Sequence, residues 1–116
     1  MTKAIIEIGG KTYSTYPQLI QNDFGFDIDF NIKNDDNSDF DLNGFEVYMK
    51  SRLYGASENK IDSEGNITNY TSGNVTYTVG SGDLSETGRF RTQLELSSPT
   101  TIISIDTGDM LIQEEL

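Results

Sequence analysis

A chain of 116 residues with 34% hydrophobic side chains is one domain with a lean core, in which each element has apolar residues for one face only. A net charge of −11, from 19 acidic against 8 basic side chains, repels phosphate backbones and anionic lipid, so neither nucleic acid nor a membrane is expected as a partner. The absence of cysteine and histidine removes disulfides, thiolate chemistry, Ser-His pairs and imidazole metal ligands.

Ala4 to Ile8 reads as a short strand, Gly9-Gly10-Lys11 as a tight turn, and Thr12 to Tyr16 as its return. Residues 1–16 are therefore expected to form a β-ribbon or arm ahead of a body spanning 17–116. Pro17 closes the ribbon, because proline cannot donate to a ladder. A lean core leaves the ribbon's apolar side chains little to pack against. Ile5, Ile6, Ile8 and Tyr13 are thus expected to lie against another chain, by strand addition or as an arm. The opening run is too short for a secretory leader and is interrupted by Glu7. No segment approaches the roughly 20 apolar residues of a membrane span, so synthesis in the cytoplasm is expected.

Phe24, Phe26, Ile28, Phe30 and Ile32 alternate with small, polar or acidic residues. That period of two marks a strand with one buried and one wet face, and three Phe on the buried side would dominate the core. A polar loop, Asn34 to Asp39, and the turn Asp41-Leu42-Asn43-Gly44 lead into Phe45 to Lys50, with Phe45, Val47 and Met49 on one face. Tyr48 has the opposite parity, and it and Tyr54 are candidate contact residues, since exposed Tyr favours interfaces. Ile67 to Tyr70 and Val75 to Val79 read as strands, and Leu84 with Glu86 as one helical turn. Gly88 opens a strand with Phe90, Thr92, Leu94 and Leu96 inward and Arg89, Arg91, Gln93 and Glu95 outward. Thr101 to Ile105 and Met110 to Gln113 complete the chain, separated by Thr107-Gly108-Asp109.

Seven to nine short strands between Gly, Asn, Asp and Pro turns predict an all-β, antiparallel sandwich without a disulfide. Glu86-x-Gly88-x-Phe90 sharpens this towards an immunoglobulin-like sandwich, whose late strand follows a similar acidic-x-Gly-x-Tyr run. Phe90 lacks the hydroxyl that ties that corner.

Two chemical readings are weighed and set aside. Asp35, Asn37, Asp39, Asp41 and Glu46 fall near the spacing of a calcium loop, but Phe40 stands where that loop needs glycine and both flanks are strands. Asp27 and Asp29 have a spacing compatible with a glycosidase pair, yet the chain has no Trp to line a sugar cleft. Neither a metal nor another cofactor is expected, and no catalytic set.

The order of four runs resembles the small immunoglobulin-like domain at the N-terminus of upper baseplate proteins of phages infecting Gram-positive hosts. The runs are Asp27-Ile28-Asp29-Phe30-Asn31-Ile32, Asp41-Leu42-Asn43-Gly44-Phe45, Gly73 to Val79, and Gly88 to Leu96. The resemblance implies a non-enzymatic structural protein of the virion, at the baseplate, tail or capsid surface. Its implied partners are other virion proteins or further copies of itself. A stand-alone decoration protein fits too, and the alternative of another class is a carbohydrate-binding accessory module aiding attachment to the host surface.

Overall fold

A computed structural model describes residues 2–116. Among them, ten strands and no helix form two five-stranded sheets. The front sheet has the order β2-β1-β4-β8-β7, from β1 (Thr2–Ile8), β2 (Lys11–Tyr13), β4 (Asp27–Asn34), β7 (Asn66–Asn69) and β8 (Asn74–Thr78). The back sheet has the order β3-β10-β9-β5-β6, from β3 (Leu19–Ile20), β5 (Glu46–Leu53), β6 (Ile61–Glu64), β9 (Gly88–Ser97) and β10 (Ile102–Gln113). Every pairing is antiparallel except β3 beside β10. The run β1-β4-β8-β7 facing β10-β9-β5 matches the ABED and GFC sheets of the immunoglobulin sandwich.

Alternation in the sequence becomes alternation of burial. Ile28, Phe30 and Ile32 on β4 face Met49 and Val47 on β5 and Phe90, Leu94 and Leu96 on β9 in a single core. Fully burying a side chain of this size contributes about 1.5–3 kcal/mol. The core strand begins three residues later than the period suggested. Phe26 is only partly buried and Phe24 is 62% exposed, because Gly25 (φ 82) turns the chain before the ladder starts at Asp27.

The expected N-terminal arm is corrected. Residue 1 lies outside the described residues, but Thr2 to Ile8 pair one for one with Asn34 to Ile28, making β1 an inner strand of the sandwich. Gly9 (φ 61) and Gly10 (φ 79) form the tight hairpin into β2, both left-handed as a primed two-residue turn requires. Ile6 is completely buried, and Ile8 and Tyr13 pack against the same core. Ile6 is therefore closed to another chain, while Ile8 and Tyr13 are half-buried. Tyr16, just beyond, is buried too; its hydroxyl meets Thr107 Oγ1 at 2.8 Å and its ring packs edge-on against Phe30.

Two further expectations change. Thr107-Gly108 does not end a strand. β10 runs on through it with a bulge, Gly108 (φ 93) taking the left-handed position. The segment around Leu84 is a plain turn, and Leu84 is buried. The corner between β8 and β9 is tied from its other side: the Tyr77 hydroxyl, on β8, donates to Asp83, which also accepts the Gly80 amide at 2.8 Å. Gly88 has the positive φ expected of it, 131°, and a side chain there would meet Leu53 Cδ1 at 2.8 Å.

Candidate functional site

With both inner faces in the core, any surface for chemistry or contact lies on the two outer faces or the loops. The outer face of the front sheet is a ladder of cross-strand bonds. Thr78 Oγ1 donates to Asp27 at 2.6 Å, Thr76 Oγ1 to Asp29 at 2.5 Å, and Asn31 Nδ2 to Asn74 Oδ1 at 2.7 Å. Asn31 also reaches the Ser72 carbonyl at 2.9 Å. Ile5 lies on this face, at the rim of a shallow groove of about 340 Å³ floored by the ladder. Asp27 and Asp29 are thus bound to threonines, and the groove is lined by the carboxylates of Glu7 and Asp29 beside the hydroxyls and amides of Thr68, Thr76, Asn31 and Asn74.

The outer face of the back sheet differs. It carries Tyr48, Lys50 and Arg52 from β5 and Arg89, Arg91, Gln93 and Glu95 from β9, because these alternate with the buried Val47, Met49, Phe90, Thr92 and Leu94. All three arginines of the chain, Arg52, Arg89 and Arg91, lie here. Tyr54 follows β5 at the same end and is 52% exposed. The Tyr54 hydroxyl donates to Asp109 at 2.8 Å, and that carboxylate raises the tyrosine's pKa above its ordinary value. The Tyr48 hydroxyl donates to Glu46 at 2.9 Å, with the same consequence. Lys50 Nζ sits 3.2 Å from Glu95 and 3.9 Å from Asp62. Between Lys50, Arg52, Asn59, Arg91, Gln93 and Asp106 the face dips into a groove of about 280 Å³.

Of the expected contact residues, the fold brings Tyr48 and Tyr54 onto one face, puts Ile5 on the opposite face, takes Ile6 inside and leaves Ile8 and Tyr13 half-buried at the margin of the core. Arg52, Arg89 and Arg91 were not singled out by sequence reasoning. Their outward parity is legible, but their meeting depends on β5 lying beside β9, a pairing across forty residues.

The acidic loop after β4 is internally occupied. Asp36 accepts the Ser38 amide at 2.9 Å and its hydroxyl, which lowers the Asp36 pKa; Asp41 accepts the Asn43 amide at 2.9 Å, and Asp39 pairs with Lys33. Among the described residues no group of three or more acidic side chains is arranged to hold a metal ion. No helix of the described residues is long and apolar enough to cross a membrane.

No protein-family model matches the chain, and neither a curated protein nor a solved structure matches it.

Proposed function

We propose that the chain is a non-enzymatic structural protein of a phage particle, an immunoglobulin-like module held in place by protein contacts on the outer face of its back sheet. The virion setting rests on the four-run sequence resemblance. The choice of face rests on one observation: Tyr48, Tyr54 and all three arginines share it. Tyr and Arg are the residue types enriched where binding energy concentrates. Contacts through a face also suit the edges, which are short, with three residues in β2, four in β7, two in β3 and four in β6. Short edges are poor templates for strand addition.

Particles assembled with Tyr54→Ala/Arg89→Glu should lack the protein, whereas Thr68→Glu, on the front face, should incorporate as the wild type does. Equal incorporation of both variants would overturn the choice of face. Binding of the isolated protein to cell-wall glycan, lost in Tyr54→Ala, would turn the reading to a carbohydrate-binding accessory module.

A further inference from the structure

Arg52 on β5 and Arg91 on β9 are directly opposed in register, both pointing outward and both exposed. Opposed residues on one face hold their Cβ atoms about 4.5–5.5 Å apart, where like charges are destabilising. In a chain with 19 acidic and 8 basic residues, carboxylates are the commoner side chains by far, yet neither arginine is neutralised by one. Arg52 Nε donates to the neutral Asn59 Oδ1 at 2.9 Å. Arg91 has neither a hydrogen bond nor an ion pair among the described residues. The nearby carboxylates are bonded to other groups. Asp109, the register partner of Arg91 on β10, takes the Tyr54 hydroxyl and lies 4.0 Å from Arg89 Nε. Asp106 accepts the Gly108 amide at 2.9 Å. The two guanidinium groups thus share one wall of the 280 Å³ groove with the side-chain amides of Asn59 and Gln93.

We propose that this groove is a carboxylate-binding site, and that it takes an Asp or Glu side chain from an acidic segment of the protein partner that covers the face. The inference rests on the reading of that face as the docking surface and names what the partner must present. A guanidinium offers a planar pair of donors matched to the two oxygens of a carboxylate. A single negative charge between two cations removes their mutual repulsion. A phosphate dianion suits the groove less, because Asp106 in its lining repels the second charge.

The test uses the whole chain with three probes: a hexaglutamate peptide, a hexaglutamine peptide and inorganic phosphate, each followed through the arginine Nε–H resonances. Hexaglutamate should shift Arg52 and Arg91, bind more weakly as salt is raised, and bind at least tenfold more tightly than hexaglutamine or phosphate. Arg52→Ala and Arg91→Ala should each lose at least tenfold. Arg52→Glu gives a separate reading, because it places a carboxylate in the site permanently. It should abolish hexaglutamate binding and raise the melting temperature. Absence of hexaglutamate binding, undiminished binding by Arg52→Glu, or tighter binding of phosphate would each overturn the proposal. If hexaglutamate fails to bind while Tyr54→Ala/Arg89→Glu is still lost from particles, the carboxylate site falls and the docking face stands. If hexaglutamate binds but every variant incorporates normally, it is the docking face that falls.

Discussion

The two outer faces are built on the same alternation and end in opposite states. On the front sheet, Asp27, Asp29 and Asn31 each find a partner on the neighbouring strand at the register position directly across, namely Thr78, Thr76 and Asn74. On the back sheet, the position across from Arg91 on β5 is another arginine. The front face also opposes like charges, Glu7 to Asp29 and Lys3 to Lys33, but one member of each pair is held by another group, Asp29 by Thr76 and Lys33 by Asp39. Groups already bonded in this way gain little by being covered. On the back face neither member of the arginine pair is held by a carboxylate, so that pair gains from a ligand of opposite sign. Chemical composition alone does not separate the two faces; what separates them is whom each side chain meets across the ladder.

That comparison presupposes that each strand has one inner and one outer face, and β4 offers the severest check. Ile28→Asp places an unpaired charge at a fully buried position and should cost about 4–5 kcal/mol or more, enough to unfold a domain of ordinary stability. Asp27→Ser, one residue away on the outer side, gives up an exposed bond to Thr78 and should cost about 0.5 kcal/mol. Equal losses in thermal melts would mean that the faces are assigned wrongly.

Next in size are two glycines, one beside each sheet. Gly73, before β8, has φ 71, and a Cβ there would stand 2.5 Å from the Ile32 carbonyl oxygen and 2.9 Å from that of Phe40. Both obstacles are backbone, and the Gly73 carbonyl itself accepts the Ile32 amide at 2.8 Å. Gly73→Ala should cost about 3 kcal/mol, from strain plus displacement of the front-sheet ladder. Gly88→Ala meets a terminal methyl of the Leu53 side chain and no backbone atom, so its main cost is about 1–2 kcal/mol of backbone strain. Urea denaturation of both variants should preserve this order.

On the outer faces themselves the expected effects are smaller and opposite in sign. Asn31→Ala removes the bonds to Asn74 and the Ser72 carbonyl at a part-buried site and should cost about 1–2 kcal/mol. Arg91→Gln removes one of two opposed charges and should leave the free protein unchanged or more stable by a few tenths of a kcal/mol. A substantial loss in Arg91→Gln would show that the arginine pair supports the fold, and the contrast between the faces would collapse.

Alkaline pH tests the interior between the sheets. Burial raises the pKa of Tyr16, and burial together with Asp83 raises that of Tyr77, both above the ordinary 10.0. A group whose folded pKa is raised keeps its proton in the native state after the unfolded chain has lost it. The native state then binds more protons, and stability falls with rising pH. The contribution should therefore be intact below pH 10 and be lost progressively above it. Tyr16→Phe should flatten that decline while costing about 1 kcal/mol near neutrality, because Thr107 loses its partner. Denaturation curves collected from pH 8 to 11 decide this.

The sandwich was legible because period-two patterning is local: Ile28 to Ile32, Val47 to Met49 and Phe90 to Leu96 each declare their inner face within a few residues. Where the ribbon would pack was not legible. Ile6 and Tyr13 look homeless in sequence, and only the pairing of β1 with β4 turns them inward. Phe24 misled for a related reason, since its period matches the strand but Gly25 breaks the backbone before it. The arginine pair was hidden most completely. Arg52 and Arg91 each read as an ordinary solvated charge, and their opposition exists only in the register of β5 with β9.

The smallest expected effect is on the acidic loop between β4 and β5, where the sequence spacing comes nearest to a metal site. A ligand present at one hundred times its dissociation constant would stabilise the fold by about 2.7 kcal/mol, several degrees in melting temperature for a domain of this size. The side chains are not set out to receive one. Asp36 is wrapped on Ser38, Asp41 on Asn43, and Asp39 is turned back onto Lys33 of β4. Glu46, needed to close such a loop, opens β5 and takes the Tyr48 hydroxyl on the back face. Binding calcium would mean breaking these contacts before any coordination is gained. Millimolar calcium should therefore leave the melting temperature unchanged to within about one degree, beyond the general screening that the same ionic strength of sodium chloride produces. A rise of several degrees specific to calcium and lost in Asp35→Ala would show that the loop rearranges around an ion. The front-sheet side of the molecule would then hold a second unsatisfied site, and its contrast with the back face would weaken.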